Sequence, residues 1–311
     1  MAECVVTVSV VNFKTAWGNK DVNLSHICSY AAQAARAGAD IIVLPELALT
    51  GYDDELDKER CRKMQTILAE TIPGPSSCAV ARLAQQTGTY ILFGMPERDA
   101  RDAAVIYNSV AICKPDGSIE AFRKLHMPAG EVGWAARGDR PGFLETEFGT
   151  IGIGICYDSY KFPEMVRLTK ARGGQLFINV TALPFEDILP NVNRDDLESL
   201  VIVNSIFLAS ANLVGLDLHK HFMGGSSIIG PGSRPQDALY YAGYAFGDER
   251  GQGSGIFTAT VDLSTSAAEL DRADTLFAGR GAESRMSWRP ELYRRMYQDV
   301  LDDPSWQMKV R

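Results

Sequence analysis

The chain has 311 residues, 46% hydrophobic and 23% charged, the balance of an ordinary folded protein, with length for one large α/β domain or two smaller ones. A formal net charge of -8 supplies no positive field for nucleic acid or for an anionic membrane surface. The longest weakly polar run, LVIVNSIFLASANLVG, is broken by Asn204, Ser205, Ser210 and Asn212, which argues against a membrane span.

In chain order, VVTVSVVNF alternates as a strand, and the acidic opening MAEC shows no leader-like basic region. KDVNLSHICSYAAQAARAGA reads as an amphipathic helix stopped at Gly38, and DIIVLPE as a short apolar strand of a sheet covered on both faces. SSCAVARLAQQTG is a second helix, entered after Pro75 and left at Gly88. TYILFGMPER and VIYNSVAICKPDGSIEAFRK follow, the latter a hairpin turning at residues 115–117. TIGIGICYD, QLFINVTA and FLASANLVG are further strands, with a helix opening at Pro163-Glu164. FMGGSSIIGPGS, ALYYAGY and GIFTATVDL look like an antiparallel meander. Helix-linked strands mixed with hairpins indicate an α/β layered sandwich with mixed sheets. Residues 1–283 read as one domain, and 284–311 as an aromatic tail packed on the body or on a partner subunit.

Six cysteines stand apart with no CxxC pair and read as free thiols of a reducing cytoplasm, the expected compartment. Four histidines offer only HKH at 219–221, with no source for a third ligand, so no metal site is expected.

The glycines of IGIGICYDSYKFPE raise three readings: a phosphate cradle, a core strand, or a strand that presents a nucleophile. A dinucleotide loop needs a third glycine where this chain has Tyr157, and period-two isoleucines put Gly152 and Gly154 inside a strand. Interior strand glycines mark a close approach by a neighbour. Cys156 stands where the apolar strand ends, ahead of a helix start whose free N–H groups favour a thiolate and an oxyanion. Two other strand ends carry complementary chemistry: Glu46 after DIIVLP, and Lys124 after EAFR, with Glu131 in the loop beyond.

These segments resemble the nitrilase, or carbon–nitrogen hydrolase, superfamily. LPELALTGY is similar to its glutamate motif, FRKLHMP to its lysine motif and GIGICYDSYKFPE to its cysteine motif. Glu131, seven residues before Gly138 of the Gly138-Asp139 pair, falls where many members place a supporting glutamate. FMGGSSIIGPGS and WRPELY also resemble family segments.

The resemblance implies a four-layer α-β-β-α sandwich with two mixed sheets, and a homodimer or larger assembly. It also implies a Glu46–Lys124–Cys156 triad that hydrolyses small amides or N-carbamoyl compounds through a thioester. Glu131 supports the triad, the Tyr157 N–H helps hold the oxyanion, and no cofactor or metal takes part. Nitrilases usually continue Cys-Trp-Glu; Cys156-Tyr157-Asp158 is the pattern of amidases and carbamoyl amidohydrolases. Acyl transfer to an amine and nitrile hydrolysis are the alternatives. Many relatives read Cys-Tyr-Asp-x-Arg-Phe-Pro-Glu, whereas CYDSYKFPE is one residue longer and offers Lys161 for a substrate acid group. Tyr52, Trp134, Tyr160, Asn179 and Thr181 are further candidates for the substrate pocket. In RDDLESLVIVNSIFLASAN, where relatives often have Arg-Ala-x-Glu-Asn, only Asn204 is kept.

Overall fold

A computed structural model of the chain describes residues 4–53, 55–185, 193–232, 237–266 and 289–309. Its strands are β1 (Val5–Asn12), β2 (Ile41–Val43), β3 (Tyr90–Arg98), β4 (Ile106–Cys113), β5 (Ile119–Arg123), β6 (Gly142–Thr146), β7 (Gly149–Ile155), β8 (Leu176–Val180) and β9 (Phe207–Ala211). The series continues with β10 (Val214–Leu216), β11 (His221–Met223), β12 (Ser227–Pro231), β13 (Ala238–Gly243) and β14 (Gly255–Asp262). The helices that matter here are α1 (Lys20–Arg36), α2 (Met64–Leu68), α3 (Pro75–Thr87), α4 (Tyr157–Lys161), α5 (Glu164–Ala171) and α6 (Ser199–Asn204).

Two six-stranded mixed sheets form, in the orders β14-β1-β2-β3-β4-β5 and β13-β12-β9-β8-β7-β6. Strand alternation makes each sheet two-faced. Val6, Val8, Val10, Ile41 and Val43 of the first sheet form one apolar cluster with Ile151, Ile153, Ile155, Ile178 and Val180 of the second. The opposite face of the first sheet, with Val11, Ile42, Ile91 and Phe93, packs on α1 and α3 through Ile27, Ala31, Val80 and Ala84. Phe177, Leu208 and Ile229 on the outer face of the second sheet pack on α5 and α6 through Val166, Leu200 and Val201. The result is an α-β-β-α sandwich.

The predicted C-terminal meander forms only in part. β12 and β13 pair antiparallel, but β14 joins the other sheet and runs antiparallel to β1 from Val5–Asp262 to Asn12–Gly255. Its threonines suit that neighbour: Thr260 bonds Thr7 at 2.9 Å and Thr258 bonds Ser9 at 2.7 Å. Within RDDLESLVIVNSIFLASAN the helix stops at Asn204, Ser205 takes a positive φ of 45°, and Phe207 begins β9, the strand expected over FLASANLVG.

All six cysteines are free thiols, and no helix among the described residues is long and apolar enough to cross a membrane. The chain divides into two units, Met1–Ala267 and Ala268–Arg311. In the second, residues Pro290–Asp302 and Pro304–Lys309 are helical; residues 284–288 and 310–311 of the predicted tail lie outside the described residues.

Ile151, Ile153 and Ile155 of β7 point into the inter-sheet core, so the alternating glycines point to the helical layer. A Cβ on Gly152 would sit 1.9 Å from Thr169 Oγ1 of α5 and 2.7 Å from Phe177, and one on Gly154 would sit 2.8 Å from both Phe177 and Ser159. The glycines therefore let α4 and α5 close on the strand that carries Cys156. Thr169 is itself held by a 2.9 Å bond to the Met165 carbonyl and cannot turn away freely. Gly152→Ala should destabilise the protein by about 1–3 kcal/mol through overpacking. Urea unfolding checks this, and an unchanged midpoint would contradict the packing described.

Candidate active site

Glu46, Lys124 and Cys156 each sit just beyond a strand. β2 lies parallel between β1 and β3, and the chain leaves it through Leu44 and Pro45. The Glu46 N–H then donates across the sandwich to the Thr181 carbonyl at 3.3 Å, tying the end of β2 to the end of β8. Leu47 turns with a φ of 49°. Gly94 makes this turn possible: a Cβ there would lie 2.5 Å from Glu46 Cα and 2.3 Å from the Leu47 nitrogen. At the end of β5, the Lys124 N–H donates to the Asn108 carbonyl at 2.9 Å. Glu131 begins a single 3-10 turn, Glu131–Gly133.

The Lys124, Glu46 and Glu131 side chains are all fully buried. Lys124 Nζ donates to Glu46 Oε1 at 2.7 Å and to Glu131 Oε1 at 2.5 Å. Asn108 Nδ2 spans the same two acids, donating to Glu46 Oε1 at 2.7 Å and to Glu131 Oε2 at 3.0 Å. The Tyr52 hydroxyl adds a bond to Glu131 Oε1 at 2.8 Å. Glu131 thus accepts three hydrogen bonds, and Glu46 Oε2 accepts none from the described residues.

Burial raises the Glu46 carboxyl from 4.5 to about 7, and the Glu131 charge pushes the same way against Lys124 and Asn108. Burial also works against the Lys124 charge, but Glu131, Glu46 and Cys156 outweigh it and hold the ammonium well above its usual range. A carboxyl poised near neutrality beside a permanent cation can accept and return a proton.

β7 runs parallel to β8, and the Cys156 N–H donates to the Val180 carbonyl at 2.9 Å. Cys156 then takes φ 50° and ψ −101°, a strained conformation for an L-residue, and α4 starts at Tyr157. As the first residue of α4, Tyr157 has an N–H without an intrahelical acceptor, beside the thiol. The free N–H groups at the start of α4 favour a thiolate but do not outweigh burial here. Burial, with the Glu46 charge second, pushes the Cys156 thiol up, and Lys124 and a Thr181 side-chain hydrogen bond only partly offset it. The five residues of α4 are also too few to build a strong helix dipole. The resting sulfur is a thiol and needs a base.

Asp158 locks the cysteine turn to the lysine turn. Its Oδ2 accepts from the Ile155 N–H at 3.2 Å and the Leu125 N–H at 3.4 Å, and its Oδ1 accepts from the His126 N–H at 2.8 Å. These amides lie next to Cys156 and Lys124. The His126 ring meets the same Oδ1 at 2.8 Å and stacks on Phe162.

The remaining candidates separate. Trp134 is buried in the cluster that contains Tyr52 and Phe222, and its indole nitrogen has no hydrogen-bond partner among the described residues. The Tyr157 ring is half-buried and meets Phe162 edge-on. The Tyr160 hydroxyl is bonded to both Asn179 and Thr181. Lys161 is exposed on α4, and its charge acts on Asp196 rather than on the buried cluster. Asn108 and Gly94 were not singled out from the sequence, and Asp158 only as part of the Cys156-Tyr157-Asp158 pattern. The available signals were a polar residue inside the apolar run VIYNSVAIC and a glycine inside ILFGMPER.

A family model described as carbon-nitrogen hydrolase matches residues 7–240. The chain is 30% identical over 280 residues to a probable nitrilase of Schizosaccharomyces pombe, covering 88% of this chain and 92% of that protein. It is 30% identical over 273 residues to the 2-oxoglutaramate amidase of Bacillus subtilis, covering 84% and 92%. Among solved structures, an amidase from Nesterenkonia sp. shares the fold with a TM-score of 0.68 at 24% identity, covering 86% of this chain and 95% of that one. Nit3 of Saccharomyces cerevisiae does so with a TM-score of 0.71 at 21% identity, covering 85% and 92%. The chain is a member of the carbon-nitrogen hydrolase family, within the nitrilase superfamily of enzymes.

Proposed function

We propose that this enzyme hydrolyses small amides by attack of the Cys156 sulfur, with Glu46 as the proton carrier. The observation that carries the reading is Glu46. One of its oxygens is held by Lys124 and Asn108, the other accepts no bond from the described residues, and burial raises the carboxyl to about 7.

Glu46 takes the thiol proton as sulfur bonds the substrate carbonyl carbon. The oxyanion that develops is met by the Lys124 ammonium and the Tyr157 N–H. Glu46 then gives its proton to the leaving nitrogen, the C–N bond breaks, and ammonia or an amine departs from a thioester. Water attacks the thioester and passes a proton to Glu46, the C–S bond breaks, and that proton returns to sulfur as the acid leaves. Glu131 holds Lys124 in place through these steps, and Tyr52 and Asn108 hold Glu131. The side chains supply the whole proton inventory, so the route calls on no cofactor or metal.

Cys156-Tyr157-Asp158 in place of Cys-Trp-Glu supports amide or N-carbamoyl substrates over nitriles. The relatives described as 2-oxoglutaramate amidase and omega-amidase support testing ω-amides first. Ammonia release from ω-amides, aliphatic amides, N-carbamoyl amino acids, N-carbamoyl amines and nitriles checks the reading. Turnover of an amide is expected; a nitrile as the best substrate would overturn it, and an amine conjugate in place of free acid would assign acyl transfer.

Cys156→Ala should abolish turnover with melting behaviour close to the parent's, and Glu46→Gln and Lys124→Ala should each cost about a thousandfold or more, since such groups act as a unit. Full activity in Cys156→Ala would end the proposal. Protonated Glu46 cannot accept the thiol proton, so kcat/KM should rise with pH through about 7 rather than through the ordinary carboxyl range. A pH–rate profile whose acid limb lies near 4.5, the value of a free glutamate, would show that burial does not set the base.

A further inference from the structure

Beside Cys156, three side chains from two different segments form an ordered series. Asn179 lies in β8, one residue before its end, with both Nδ2 hydrogens in use: one to Ser210 Oγ at 3.0 Å and one to the Tyr160 hydroxyl at 3.2 Å. Tyr160, on α4, passes its own hydrogen to Thr181 Oγ1 at 2.7 Å. Thr181 is fully buried and follows directly on Val180, whose carbonyl accepts the Cys156 N–H at 2.9 Å, so its hydroxyl lies beside the thiol and partly offsets the thiol's upward shift.

A hydroxyl has one hydrogen. Tyr160 accepts from Asn179 and must donate onward, so Thr181, having accepted from Tyr160, has its single hydrogen left for the sulfur. Burial, foremost, pushes the Tyr160 phenol well above its usual range, so it keeps the proton this direction requires. Each donor in such a chain is polarised by the bond it accepts, so the last hydroxyl donates more strongly than an isolated one.

We propose that Asn179, Tyr160 and Thr181 form a one-way hydrogen-bond relay that ends on the Cys156 sulfur and stabilises the thiolate as it forms. Tyr160 and Asn179 are positioning residues that act through Thr181, and only Thr181 touches the reacting atom. The relay answers a specific difficulty of this site: the sulfur is buried beside a carboxylate, and both features oppose its negative charge. It also gives a use to the Tyr160 that lengthens CYDSYKFPE, since a tyrosine at this point of α4 reaches the end of β8.

The proposal rests on Cys156 being the nucleophile, but its test uses no substrate and so stands or falls apart from the choice of amide. Iodoacetamide alkylation of the Cys156-containing peptide is followed by mass spectrometry from pH 6 to 9, resolving it from the five other thiols. Thr181→Val should slow alkylation about tenfold across the range, the scale of one lost hydrogen bond to a charged atom. Tyr160→Phe should slow it about threefold, because Thr181 remains but loses its polarising donor. The double variant should be no slower than Thr181→Val alone, and Thr181→Ser, which keeps the hydroxyl, should restore most of the parent rate. An unchanged rate in Tyr160→Phe would overturn the relay. So would faster alkylation in Thr181→Val, which would mean that Thr181 accepts from the thiol and the series runs the other way. Loss of reactivity in Thr181→Ser equal to that in Thr181→Val would assign the effect to packing alone, which also overturns it.

Discussion

The structure turns on one buried ammonium shared by two buried carboxylates. Lys124 bridges Glu46 and Glu131, and none of the three side chains is exposed. Two acids and one base carry a net negative charge in a medium that stabilises charge poorly, and that surplus is relieved if one acid holds a proton. Glu131 accepts from Lys124, Asn108 and Tyr52, so it is the better satisfied anion. Glu46 has one oxygen that accepts no bond from the described residues, and burial foremost, with the Glu131 charge pushing the same way, raises its carboxyl. In the proposed reaction Glu46 is accordingly the proton carrier, and Glu131 is the residue that holds Lys124.

The sandwich exists, from the site's point of view, to bring four strand ends together. Glu46 follows β2 of one sheet and Cys156 follows β7 of the other, and the Glu46 N–H bond to the Thr181 carbonyl spans the two sheets at that level. Asp158 repeats the arrangement on the other side, gripping amides next to both Lys124 and Cys156. Close approach is obtained by leaving side chains out: Gly94 admits the Glu46 turn, and Gly152 and Gly154 admit the helices that follow the cysteine. Small volume changes far from the sulfur are therefore felt at the sulfur.

Much of this was legible in the sequence, for a physical reason. Glu46 and Cys156 follow apolar strands and Lys124 follows a hairpin strand, three strand ends whose chemistry is complementary, and the period-two pattern around Gly152 and Gly154 sets which face they take. Asn108 was not legible as part of the site, because its partners lie 62 and 23 residues away and only tertiary folding joins them. Tyr160, Asn179 and Thr181 could be named as neighbours of the site, but their bonds to one another depend on α4 crossing the end of β8. The pairing of β14 with β1 was hidden for a similar reason: a short strand after a hairpin can return to either sheet, and its threonines favour β1 only once that strand's Thr7 and Ser9 are in place.

The central claim is covalent: an acyl group rests on Cys156 during turnover. Rapid acid quenching of the enzyme with an ω-amide in its first turnovers, followed by peptide mass analysis, tests it most directly. The account predicts an adduct equal to the substrate acyl group, lacking the amide nitrogen, on the peptide that contains Cys156 and on no other cysteine peptide. Ammonia release in the same samples with Cys156 unmodified, or with the acyl group on another residue, would contradict it.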